Sequence, residues 1–188
     1  MNLPNAITLS RLLCVPLVVW LILVDRMAAA FWISLGAALS DAVDGIIAKR
    51  WRMVTKFGGY LDPIADKALL VCIYVALVNQ GHLPVWLVIL VVFRDALIIG
   101  GALLFMTLTQ TLDMKPLMVS KLNTVMQLTL AVEVLAALAF SIDDTDLRPV
   151  LVFSVAATTL ASGAAYVVGW TRLAAEIEKQ DGGAEDRA

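Results

Sequence analysis

The chain has 188 residues, 61% of them hydrophobic, and a mean hydropathy of +0.87; a soluble domain is nearer half apolar, and a 20.3 kDa globule has too little interior to hide the excess. The formal net charge of −2 does not itself bear on a polyanionic partner; no nucleic-acid partner is expected. Two cysteines, Cys14 and Cys72, each lie inside an apolar run and are expected to be buried packing residues, with neither a disulfide framework nor metal-ligand spacing between them.

A bilayer crossing needs about 20 apolar residues. Six stretches approach or reach that length: 7–24, 28–48, 59–78, 84–106, 117–140 and 149–170. The pattern predicts an all-α, multi-pass membrane protein with six transmembrane helices. Loop chemistry separates them: Asp25-Arg26, the basic stretch 49–56, Asn79-Gln80-Gly81-His82, the segment 113–116, and the segment 141–148. Residues 1–175 form one membrane domain. Residues 176–188, polar with Gly182-Gly183, form a short tail expected to be disordered.

Lys and Arg near span ends set orientation. Lys49, Arg50, Arg52 and Lys56, then Lys115 and Lys121, then Arg172 and Lys179, fall on one face with Arg11, against Arg26 and Arg148 on the other. The basic face is assigned to the cytoplasm, with both termini inside a bacterial-type inner (plasma) membrane. An alternative makes residues 1–30 a signal peptide cleaved near Ala28-Ala29-Ala30. Cleavage would leave five spans and set the basic loops in conflict.

The second span closes on Asp41-Ala-Val-Asp44-Gly45-Ile-Ile-Ala48-Lys49. At 100° per residue, Asp41, Asp44, Gly45 and Ala48 share a helix face. Asp62 and Asp66, four apart at the start of the third span, share another. A short basic loop folds the two spans back, so the acidic ends can meet. A charge at membrane depth costs about 2.5–3.5 kcal/mol, and four clustered carboxylates repel besides. Hard divalent cations with oxygen ligands offset this, Mg²⁺ in particular through carboxylates plus substrate phosphate oxygens, and a pair of ions can clamp a phosphoryl centre. The plainer alternative is interhelical salt bridges to Lys67, Lys49 and Arg50. Four acids at such regular spacing exceed what packing requires.

The run Asp41-x2-Asp44-Gly45-x2-Ala48-Lys49-x8-Gly58-x3-Asp62-x3-Asp66 resembles the signature of the CDP-alcohol phosphatidyltransferases, and the opening Leu3-Pro4-Asn5-x2-Thr8-x2-Arg11 resembles the start of that family. The resemblance covers nearly the whole chain, with Lys49 where the family usually has Arg. It implies metal-dependent transfer of a phosphatidyl group from CDP-diacylglycerol to an alcohol, with release of CMP, at the cytoplasmic ends of helices 2 and 3. By that resemblance Asp41, Asp44, Asp62 and Asp66 ligate two divalent ions, Mg²⁺ or Mn²⁺. Asp66 also takes the acceptor hydroxyl proton. Asp44, Gly45, Lys49, Thr55 and Gly58 meet the CDP-lipid, and the enzyme is a homodimer.

The second half bears on the acceptor, an anionic glycerol-type molecule. Arg94-Asp95 lies within the fourth span, where an ionisable pair hints at function. Lys121 opens the fifth span. Arg94 and Lys121 are the candidates for holding an acceptor phosphate, although Arg94-Asp95 is equally a self-neutralising buried pair. Glu133 and Gln127 are expected to bond between helices, and His82 to be solvated in an outer loop. Arg94-Asp95 followed by Ser120-Lys121-Leu122-Asn123-Thr124 is similar to the pattern of mitochondrial-type, CMP-forming cardiolipin synthases, whose acceptor is phosphatidylglycerol. Phosphatidylglycerophosphate synthases, which use glycerol 3-phosphate, are the alternative. Buried acids would also suit an ion-coupled transporter, but the acids gather at one membrane face and no inverted repeat is present.

Overall fold

A computed structural model describes the backbone of residues 3–51, 58–109, 118–142 and 146–185, and the side chains of 12–40, 67–101, 118–142 and 146–172. Every predicted span is a helix, and no strand occurs among the described residues. The elements are α1 (Leu3–Leu23), α2 (Met27–Trp51), α3 (Gly58–Asn79), α4 (Val85–Thr109), α5 (Met118–Phe140) and α6 (Leu147–Glu185). Pro16 sits inside α1 without ending it. Helix α6 continues to Glu185, through most of the polar segment that composition alone makes a tail.

Three turns join the helices in pairs, and each is built the same way. Asp25, Gly81 and Ser141 adopt left-handed backbone, with φ of 61°, 77° and 53°. Around them the amides of Arg26, His82 and Ile142 reach back to the carbonyls of Leu21, Leu77 and Ala137, at 2.8, 2.9 and 2.9 Å. These are Schellman-type ends, which satisfy carbonyls that a terminating helix leaves orphaned. Gly meets the left-handed requirement without strain at position 81. Gln80 Nε2 then donates to the carbonyls of Ile22 and Leu23, both at 3.1 Å, and ties the end of α3 to that of α1.

The helices pack as α1 on α2 and α3, α5 on α2, α3 and α6, and α4 on α3 and α6. Val18, Ile22, Tyr74, Leu77, Leu130 and Val155 are fully enclosed in the core. Around this apolar core the surface is the inverse of a water-soluble one, with large apolar side chains facing outward and several polar ones enclosed. Arg94, Asp95, Asn123, Gln127, Thr159 and Ser162 are buried, whereas Leu13, Trp20, Trp32, Ile89, Phe93 and Phe153 are exposed. Such an apolar surface calls for a partner or a lipid surround. By length and hydropathy, Met118–Phe140 and Leu147–Arg172 can each cross a membrane, and Leu12–Leu23, Met27–Ser40 and Lys67–Asn79 are shorter apolar helices. Cys14 and Cys72, expected in the interior, are only half-buried thiols, because each sits at the flank of its helix's core-facing stripe.

Candidate active site

Asp41 and Asp44 stand in the later turns of α2, and Asp62 and Asp66 in the first turns of α3. Their side chains lie outside the described residues, as do Gly45, Lys49, Thr55 and Gly58. What the structure does give is the ground on either side. Ser34, Ala37 and Ala38 of α2, Leu69 and Leu70 of α3, and Thr124 of α5 face a common, mostly apolar cavity of about 140 Å³. Ala38 is three residues before Asp41, and Leu69 three after Asp66. The acid-bearing turns of both helices are thus next along the chain to residues that line it. Small residues at 37 and 38 let α2 approach; leucines at 69 and 70 close the wall.

Beside Asp66 the described chemistry begins. Lys67 Nζ lies 3.0 Å from Oδ1 and 2.9 Å from Oδ2 of Asp95. Arg94 Nη1 donates to the same Oδ1 at 2.7 Å. Arg94 Nη2 donates to Ser120 Oγ at 2.6 Å and also to Ser162 Oγ, which accepts from Nε at 3.2 Å as well. One guanidinium therefore joins α4, α5 and α6, and the Asp95 carboxylate carries the connection to α3. Gly163 lies beside it, and a Cβ there would make only ordinary contact, 3.7 Å from Arg94 Cγ. Regular helices would set Arg94 about 15 Å deeper than Lys121. The structure corrects this: α5 starts at the level of the Arg94 side chain, whose tip touches Ser120, the neighbour of Lys121. The buried ion pair read from the sequence is present, and it has three additional members, Lys67, Ser120 and Ser162, which the sequence reading did not assign to it. Among the described residues Lys67 pairs with Asp95. Lys121 itself is exposed.

A second polar layer lies further along α5. Asn123 Oδ1 accepts from Thr158 and Thr159 Oγ1, both at 2.9 Å. Tyr74 donates to the backbone carbonyl of Gln127 at 2.9 Å. The expected bond between helices at Gln127 is thus made by its main chain. Glu133 pairs across to Arg148 of α6 at 3.6 Å. At the turns, His82 is partly covered and its pKa is lowered, first by desolvation and then by Arg148, with Asp25 opposing.

Among the described residues no group of three or more His, Cys, Asp or Glu could hold a metal. The acids of α2 and α3 are the donor set left for one, and carboxylate oxygens suit hard cations. Helices with apolar outer faces and buried polar layers fit an all-helical, membrane-associated protein. Residues 1–173 match the CDP-alcohol phosphatidyltransferase family, and the chain belongs to that family, which is membrane-associated. It is 34% identical to the chloroplastic CDP-diacylglycerol–glycerol-3-phosphate 3-phosphatidyltransferase 1 of Oryza sativa subsp. japonica, over 92% of this chain and 58% of that protein. It is 33% identical to a cardiolipin synthase (CMP-forming)/mitochondrial hydrolase fusion protein of Schizosaccharomyces pombe, over 89% of this chain and 31% of that one. It is 31% identical to the cardiolipin synthase (CMP-forming) of Rattus norvegicus, over 88% and 60%. The chain thus spans three-fifths or less of the length of these relatives.

Proposed function

We propose that this protein transfers a phosphatidyl group from CDP-diacylglycerol to an alcohol in phospholipid synthesis, releasing CMP. The carrying observation is the match to the family over residues 1–173; the cavity shared by α2, α3 and α5, whose lining residues Ala38 and Leu69 are three positions from Asp41 and Asp66 in sequence, supports it. Asp66 takes the proton from the acceptor hydroxyl as its oxygen bonds to the phosphorus that bears diacylglycerol, and the bond from that phosphorus to CMP breaks. Asp41, Asp44, Asp62 and Asp66 would hold two divalent ions, Mg²⁺ or Mn²⁺. When bound, such ions neutralise charge on the phosphate oxygens and on the departing CMP. Asp44, Gly45, Lys49, Thr55 and Gly58 would receive the CDP-lipid. All six helices would cross a bacterial-type inner membrane, with both termini cytoplasmic and residues 176–188 as a polar tail, and two copies would form a homodimer. Inverted burial and the Lys/Arg asymmetry of the connecting segments support the topology.

The acceptor in this reading is phosphatidylglycerol, held through Lys121 and the Arg94 region, on the strength of Arg94-Asp95 and the Ser120–Thr124 run. A second reading, with glycerol 3-phosphate as acceptor, is favoured by the rice relative. The test is purified protein with CDP-diacylglycerol, offered each acceptor in turn, with lipid products identified by mass. Cardiolipin from phosphatidylglycerol is the expected product. Phosphatidylglycerophosphate alone would select the second reading.

A further inference from the structure

Arg94, singled out by sequence as an acceptor contact, has little left to offer one. It is 4% exposed, and four of the five N–H groups of its guanidinium are spent on Asp95, Ser120 and Ser162 among the described residues. Lys67 is placed differently. Its ammonium is fixed from one side by both oxygens of Asp95, while its side chain keeps 27% exposure. It follows Asp66 directly and stands at the boundary between the buried network and the acid-bearing turn of α3. Among the described residues two cations, Lys67 and Arg94, share one carboxylate, so this group of three side chains carries one more positive charge than negative. A charge so placed is stabilised by an anion.

We propose that Lys67 presents this charge to the phosphate of the acceptor, and that Asp95 and Arg94 are positioning residues that fix the ammonium without touching the acceptor. The inference rests on the preceding reading, in which the acceptor carries a phosphate. That phosphate is the same chemistry whether it belongs to a free glycerol phosphate or to a lipid headgroup. An ammonium on four rotatable bonds would otherwise wander. Anchoring it to a carboxylate held by a guanidinium, which two serine hydroxyls fix in turn, removes that freedom before the acceptor arrives.

The test uses the full chain in phosphatidylcholine nanodiscs with CDP-diacylglycerol. One arm varies glycerol 3-phosphate, and the other varies the phosphatidylglycerol content of the disc. A charge-assisted hydrogen bond to phosphate corresponds to roughly ten- to a hundredfold in affinity. Lys67→Met should raise the acceptor KM by about tenfold or more in the productive arm and leave the donor KM within about twofold. Asp95→Asn should shift the acceptor KM in the same selective way but less. Lys67→Arg, which keeps the charge and the pair, should restore most of the acceptor affinity. Equal shifts in both KM values, or a fall in kcat alone, would overturn the proposal. If Asp95→Asn does not fold, Lys67→Met decides, since it leaves the Arg94–Asp95 pair in place. A direct readout separates this inference from the proposed activity. Acetylation of Lys67, followed by mass spectrometry, should be slowed by glycerol 3-phosphate or by phosphatidylglycerol in the disc. Absence of protection by both overturns the role of Lys67 even if CMP is released, whereas protection without CMP release upholds it and removes the proposed reaction.

Discussion

Asp95→Asn removes the anion of a network that joins four helices, α3 to α6. In the wild type, Oδ1 of Asp95 lies 2.7 Å from Arg94 Nη1 and 3.0 Å from Lys67 Nζ. The substitution keeps the shape but leaves Arg94, 4% exposed, with only two serine hydroxyls as described partners. Removing one member of a buried pair costs about 3–5 kcal/mol because the other is left uncompensated. The Asn carbonyl still accepts one bond, worth about 1 kcal/mol. Lys67 can draw its ammonium toward its exposed side. A net loss of about 3 kcal/mol follows from these terms. Arg94→Met combined with Asp95→Asn removes both buried charges, so the double variant should be more stable than Asp95→Asn alone. Reversible unfolding in mixed detergent–SDS micelles, followed by tryptophan fluorescence, measures this. An Asp95→Asn variant within about 1 kcal/mol of wild type, or a double variant worse than the sum of the two singles, would refute the account of a buried, mutually dependent pair.

Asp41→Asn, Asp44→Asn and Asp62→Asn should each insert normally and lose metal-dependent CMP release; more than a tenth of wild-type turnover in all three at saturating metal would remove the two-ion reading. Cysteines placed at Thr55 and Asp144 should label from opposite sides of the membrane, Thr55 from the cytoplasm, and same-side labelling would mean a different span count. His82 is the single histidine of the chain, so its NMR titration is read directly. Its midpoint should fall below the ordinary 6.5, and Arg148→Gln should move it upward. Because the folded value is depressed, the associated stability is present above pH 6.5 and lost as pH falls through the folded midpoint. A midpoint at or above 6.5 would contradict the described surroundings.

The helices were legible because each is a long apolar run between polar breaks, and breaks such as Asp25-Arg26 and Gly81-His82 coincide with the left-handed ends in the structure. The acidic run was legible because its spacing is periodic within two helices. The partners of Arg94 were not. Ser162 lies 68 residues from it in the chain and Lys67 lies 27, and no local pattern encodes a contact at that separation. Depth misled for a related reason: a count of residues along α4 cannot reveal where α5 begins beside it. Gln127 shows the opposite error. A polar side chain in an apolar helix suggested a side-chain bond, whereas the main-chain carbonyl holds Tyr74.

The three Schellman turns bear on how such a chain enters a bilayer. Each ends a helix with a left-handed residue and a backbone bond closed within the chain. A hairpin of this kind can cross as a unit with its leading tip already satisfied, so the main chain adds little to the desolvation cost of translocation. What remains is side-chain charge, and the first tip carries Asp25 next to Arg26, a pair of opposite sign. The second carries Asn79, Gln80 and His82, the last held toward its neutral form by its surroundings. Assembly can then proceed hairpin by hairpin, with the Arg94 network closing only after α6 has arrived to supply Ser162.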